Sequence, residues 1–106
     1  MRRHGQSWSH PLLVLLAHRN ELSYNRFGFL VGKRIGGAVV RNRVKRRLRE
    51  AMRARCGDMV SGWDVVLIAR APIVQSDFVR IAGALDSLLC RAGLTTARSE
   101  PPDTVG

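Results

Sequence analysis

Between Val40 and Arg53 the chain carries an apolar stripe and a block of positive charge that fall on opposite sides of a single helix. At about 100° per residue, Val40, Val44, Leu48 and Ala51 gather within roughly a quarter turn, while Asn42, Lys45, Arg46, Arg49 and Arg53 collect opposite them. Such a helix buries one side only, so it must lie on a second apolar layer with its charge turned outward. From Arg41 to Arg55 there are eight basic side chains and one acid, Glu50, out of 18 Lys and Arg in the whole chain. A helix face of mixed sign is commonly just solvated. Here the signs are not mixed, and a face that repels itself costs stability unless a polyanion neutralises it. The dominance of arginine favours phosphate, because the guanidinium fork holds phosphate oxygens bidentately. Nucleic acid is therefore the leading partner.

A chain of 106 residues supports one modest core and not two. A single domain over residues 1–94 is expected, followed by a tail, 95–106, whose Ser, Thr, Pro and acidic content predicts disorder. The net charge of +10 fits a nucleic acid much better than an acidic small-molecule substrate. No apolar run approaches a membrane span, and the basic helix has too narrow an apolar face, without aromatics, to anchor at a membrane surface. Cys56 and Cys90 have no CxxC partner, which argues against both zinc and a disulfide framework and leaves reduced, structural thiols. The spacings of His4, His10 and His18 match no metal motif. Met1-Arg2-Arg3-His4 leads into polar sequence without a signal-peptide pattern, so a cytoplasmic location is expected.

After Pro11, the run Leu12 to Ala17 reads as a buried strand, Asn20 to Asn25 as a turn, and Phe27 to Gly32 as a second strand forming an antiparallel pair with the first. Gly32 to Gly37 is a bend. Gly57 is a plausible stop for the basic helix, and Trp63 to Arg70 is the clearest strand, expected in the middle of the sheet. Pro72 breaks it, Ser76 is a good N-cap, and Phe78, Ile81, Ala82, Leu85, Leu88, Leu89 and Ala92 recur at helical spacing up to Gly93. The order strand, strand, helix, strand, helix describes a small two-layer α+β sandwich with both helices packed on one sheet.

Catalytic chemistry is hard to find. The acids are sparse and form no recognisable pair; Asp64, at a strand start, reads either as a group that solvates the strand end or, less simply, as a catalytic one. No G-x-S-x-G elbow occurs, and the glycines around Lys33 fit neither a Walker loop nor a KH loop.

The segment Gly32-Lys33-Arg34-Ile35-Gly36-Gly37-Ala38-Val39-Val40-Arg41-Asn42-Arg43-Val44-Lys45-Arg46-Arg47-Leu48-Arg49-Glu50 resembles the signature of the bacterial ribonuclease P protein component, whose hallmark is Arg-Asn-Arg on its basic helix. The likeness runs from about Gly5 to Gly93 and includes the Trp63 to Ala71 strand, Pro72 and the final helix. It implies a ribosomal S5 domain 2-like fold with a left-handed βαβ crossover through the basic helix. It further implies a cofactor role beside a catalytic RNA that removes the 5′ leader of precursor tRNA, with magnesium held by that RNA and no catalytic or metal-binding protein residue. The partners implied are ribonuclease P RNA and precursor tRNA. The RNA-contacting candidates carried over are Lys33, Arg34, Arg41, Asn42, Arg43, Lys45, Arg46, Arg49 and Arg53, with helix capping as the alternative for Asn42. Leu16 and Phe29 are the candidates for a leader cleft. The family begins with a further helix, and this chain starts near where that helix ends, so the sheet near Leu13, Leu15 and Phe29 is expected to be partly uncovered. Two other readings remain at this level: a ribosomal or other structural RNA-binding protein, and a protein-only nuclease, the latter disfavoured by the scattered acids and histidines.

Overall fold

A computed structural model of the chain describes residues 5–95, and its first element is one the sequence hardly signals. Gly5–Ser9 forms β1, a polar strand at the sheet edge in which only Trp8 packs against the core. It pairs antiparallel with β2 (Leu13–Arg19), Trp8 opposite Leu15 and Ser7 opposite Leu16. β3 spans Arg26–Leu30, and α1, Ala38–Arg53, leads from it to β4, Trp63–Ala69. α2, Phe78–Ala92, completes the fold. The result is α+β, two layers, with both helices against one sheet of order β1-β2-β4-β3.

The expected antiparallel pairing of the two early strands is not what forms. β2 pairs antiparallel with β4, and β3 pairs parallel with β4, which lies between them. The connection from Asn20 to Asn25 explains the separation, because besides its internal bonds from Leu22 N to Asn20 Oδ1 and from Asn20 Nδ2 to Tyr24 O it bonds to the segment leading into β4. Asn20 N donates to Gly62 O at 3.0 Å, Asn25 Nδ2 donates to Val60 O at 3.0 Å, and Asn25 Oδ1 accepts from Trp63 N at 2.8 Å. Inserting β4, the most apolar strand, satisfies both of its backbone edges, as its expected inner position requires. β3 and β4 are then adjacent parallel strands with α1 as their crossover.

Strand alternation turns Leu13, Leu15 and Ala17 of β2 and Val65, Leu67 and Ala69 of β4 to one face, where they are buried against Val44, Leu48 and Met52 of α1 and Ile81, Leu85, Leu88 and Leu89 of α2. Leu13 and Leu15 are thus fully covered, contrary to expectation. The uncovered face is the other one, where Leu16 and Leu30 keep 36% and 56% of their surface.

The ends of the helices follow local chemistry. Gly36 holds φ at 155°, and a Cβ there would sit 3.0 Å from Val40, so the turn into α1 demands glycine. Gly57 does not stop α1, which ends at Arg53; Gly57 lies beyond, within the one-turn 3-10 helix Cys56–Asp58. The N-cap of α2 is Asp77 and not Ser76: its carboxylate accepts from Arg80 N at 2.9 Å, while Ser76 is buried with its Oγ donating to Pro72 O. Gly93 ends α2 in the left-handed conformation, φ 73°, as the glycine suggests. Thr95, placed in the tail by sequence, pairs with Met59 in an isolated bridge; residues 96–106 lie outside the described residues. Both cysteines are exposed and unpaired by disulfide, so neither supports the core.

Candidate nucleic-acid interface

α1 separates its charge by position. Val44, Leu48, Ala51 and Met52 are buried, and Asn42, Arg43, Arg46, Arg49 and Arg53 are exposed on the side away from them. Arg41, Lys45 and Arg47 occupy the flanks and are half-buried, so the outward group is narrower than the nine candidates proposed from sequence. Lys33 and Arg34 stand exposed on the one-turn 3-10 helix just before α1, beside the N-terminal end of α1. That end has no side-chain cap, and its free N–H groups add their partial positive charge to those cations. Asn42 lies within the helix, five residues past the N-cap Gly37, so capping is not its role.

Among the described residues, Arg55 alone of the eight cations from Arg41 to Arg55 forms an ion pair, with Asp86. Arg47 turns inward too, its Nη1 donating to Ser76 O at 3.4 Å. Neither was among the sequence candidates, and their spacing gave no sign of a protein partner, since Ser76 and Asp86 lie 29 and 31 residues further along the chain. Arg41 carries a further mark: its Nε is buried and has no hydrogen-bond partner. A buried donor on a charged group left unpaired costs free energy that a bound anion would recover.

The sheet's uncovered face holds Leu16 and Val66 side by side, and around them Gly5, Gln6, Ser7, Ala17, His18 and Asp64 shape an open depression of about 370 Å³. Leu16 belongs to this face. Phe29 does not: it lies opposite Leu67, on the core side, half-buried, with Trp8, Phe27 and Trp63 also packed against the core. Leu16 and Phe29 therefore cannot line one cleft, because strand alternation puts them on opposite faces of the sheet.

Asp64 is a structural carboxylate. Arg26 Nε and Nη2 donate to its two oxygens at 2.8 and 2.7 Å, and Asn20 Nδ2 donates to Oδ1 at 2.9 Å. The arginine bonds first, then the asparagine, hold its pKa down at about 2. No group of three His, Cys, Asp or Glu side chains among the described residues is placed to hold a metal ion. No helix among them is long and apolar enough to cross a membrane.

A family model described as Ribonuclease P matches residues 1–93. The ribonuclease P protein component of Roseiflexus castenholzii is 45% identical over 105 residues, 97% of this chain and 86% of that one. That of Clostridium botulinum strain 657 is 43% identical over 93 residues, 87% and 84% of the two chains. Among solved structures, the Staphylococcus aureus RNase P protein superposes with a TM-score of 0.79 at 29% identity, covering 87% of this chain and 84% of its own. The Thermotoga maritima RNase P protein gives 0.76 at 33% identity, over 82% and 83%. A basic helix with Arg-Asn-Arg on its first turns, a crossover between adjacent parallel strands, and these likenesses over nearly the whole chain lead to one conclusion: the chain belongs to the ribonuclease P protein component family.

Proposed function

We propose that this chain works as the RNA-binding subunit of ribonuclease P, its α1 face seated on ribonuclease P RNA, and that the assembled cytoplasmic enzyme removes the 5′ leader of precursor tRNA. The observation that carries this is the outward face of α1, where Arg43, Arg46, Arg49 and Arg53 are exposed and make no ion pair among the described residues. Bringing two RNAs together compresses phosphate charge, and a protein that places a row of cations along one of them lowers that repulsion and releases counterions. Arg41, Arg43, Arg46, Arg49 and Arg53, with Lys33, Arg34 and Lys45, would hold phosphates, and Asn42 would read local geometry that a charge alone does not sense.

The leader strand is assigned to the uncovered sheet face at Leu16. An aromatic there would stack a base for about 1–3 kcal/mol, and leucine offers only part of that, so leader contact contributes less than contact with the RNA subunit. Magnesium, which supplies the metal chemistry of phosphodiester hydrolysis, is assigned to the RNA. The protein's own work is to bind, to orient and to screen.

Cleavage of precursor tRNA by protein alone, RNA alone and both together, at low and high magnesium, tests this. Protein alone should cleave nothing, and adding it to the RNA should restore cleavage at low magnesium. Cleavage by purified protein without RNA would overturn the proposal, and an unchanged rate at low magnesium would point to RNA binding without a part in tRNA processing.

A further inference from the structure

Arg55 differs from every other cation of the basic run. Its Nε and Nη2 donate to the two carboxylate oxygens of Asp86 on α2, Nη2 at 3.0 Å, and its Nη1 donates to Ala51 O at 2.8 Å. All three guanidinium nitrogens are thus engaged, and the fork that would grip a phosphate is closed on a carboxylate. Ala51 O is among the last carbonyls of α1, which lack partners inside the helix, so the same side chain also caps the C-terminal end. The arginine is mostly covered while Asp86 stays 60% exposed, an arrangement in which α2 reaches out to hold the end of α1.

That end needs holding. Without a glycine stop, α1 runs into the exposed Ala54 and the 3-10 turn Cys56–Asp58, which buries no side chain of its own. Arg49 and Arg53, outward residues of the last turns, take their direction from how this end sits on α2. We propose that Asp86 and Arg55 form a clasp that fixes the pitch of α1, so that Asp86, an acid, is a positioning residue for RNA binding. This rests on reading the outward face of α1 as the RNA surface.

The sign of the effect separates the clasp from the overall field. Asp86→Asn raises the net charge from +10 to +11, so field strength alone predicts tighter RNA binding, whereas loss of the clasp predicts weaker binding. Arg55→Lys keeps the charge at +10 and loses the planar fork, so the field predicts no change and the clasp predicts the same weakening. Affinity for ribonuclease P RNA is measured across a salt series for the wild type, Asp86→Asn, Arg55→Lys, Asp86→Glu and Glu50→Gln. Circular dichroism shows each to be folded at the working temperature. Asp86→Asn and Arg55→Lys should bind about fivefold more weakly with a shallower salt slope, because fewer phosphates are met at once. Asp86→Glu, which keeps a carboxylate, should stay within about twofold of the wild type. Glu50→Gln removes an exposed acid of α1 that forms no ion pair among the described residues and should bind as tightly or more tightly. If Asp86→Asn and Arg55→Lys bind as well as the wild type with its salt slope, the clasp is overturned; if one variant does not fold, the other decides. Wild-type binding that ignores salt would instead overturn the RNA reading of α1 itself.

Discussion

Arg41 and Arg43 flank Asn42 two residues apart, yet they meet different surroundings. Arg43 is exposed, whereas Arg41 is half-buried on the flank of α1 with its Nε unpaired. Replacing both with lysine keeps the charge and removes the forks and that orphaned donor, so the melting temperature should hold while affinity for the RNA falls about tenfold. Equal affinity of the double variant would show that only the field matters. Asp64 gives a pH signature of its own. Its carboxyl titrates near 2 in the fold, below the usual 3.8, so its contribution to stability is complete above about pH 4 and is lost as the pH falls toward 2. Melting followed from pH 5 to pH 2 should show that loss in the wild type and a flatter profile in Asp64→Asn; parallel profiles would deny the Arg26–Asp64 pair this role. Residue roles of this kind were only half legible in the sequence. Type and helical phase identified Arg46, Arg49 and Arg53, and the family resemblance added Arg43, but the inward turns of Arg47 and Arg55, and the core side of Phe29, depend on partners far away along the chain.

At the scale of elements, the readable parts were those with strong periodicity. α1, α2, β2 and β4 each carry an apolar pattern that leaves one geometry to choose. β1 escaped because an edge strand with a single packed aromatic has no alternation to detect, and the pairing of β2 with β4 was hidden because the Asn20–Asn25 connection looks like a hairpin turn until its bonds to Val60, Gly62 and Trp63 are seen. The caps were misplaced by a residue or more where two candidates stood together, as with Ser76 and Asp77. The turn into α1 offers a direct test. Gly36→Ala puts a side chain at positive φ and against Val40, and should destabilise the fold by about 1–3 kcal/mol, read from denaturant unfolding. Leu48→Ala, which empties a fully buried position between α1 and the sheet, should cost more, about 2–5 kcal/mol. A smaller loss at Leu48 than at Gly36 would mean that the helix is held by its ends and not by its buried stripe.

The described residues form a slab, 22 Å through its thinnest direction, with helices on one side and the open sheet on the other. Its cations are concentrated on the outward side of α1, and its depression at Leu16 lies on the opposite surface of the sheet. On the proposed function, such a body lies between two RNA segments, bound firmly to one through charge and lightly to the other through a shallow apolar surface. Affinity for ribonuclease P RNA measured as a function of salt tests this most directly, because six exposed cations, Lys33, Arg34, Arg43, Arg46, Arg49 and Arg53, set how many phosphates are neutralised. The logarithm of affinity should fall with the logarithm of salt at a slope of roughly −4 to −5, and replacing Arg43, Arg46, Arg49 and Arg53 with glutamine should make that slope shallower by about 3. A slope near zero in the wild type, or an unchanged slope in the fourfold variant, would contradict α1 as the RNA-binding face.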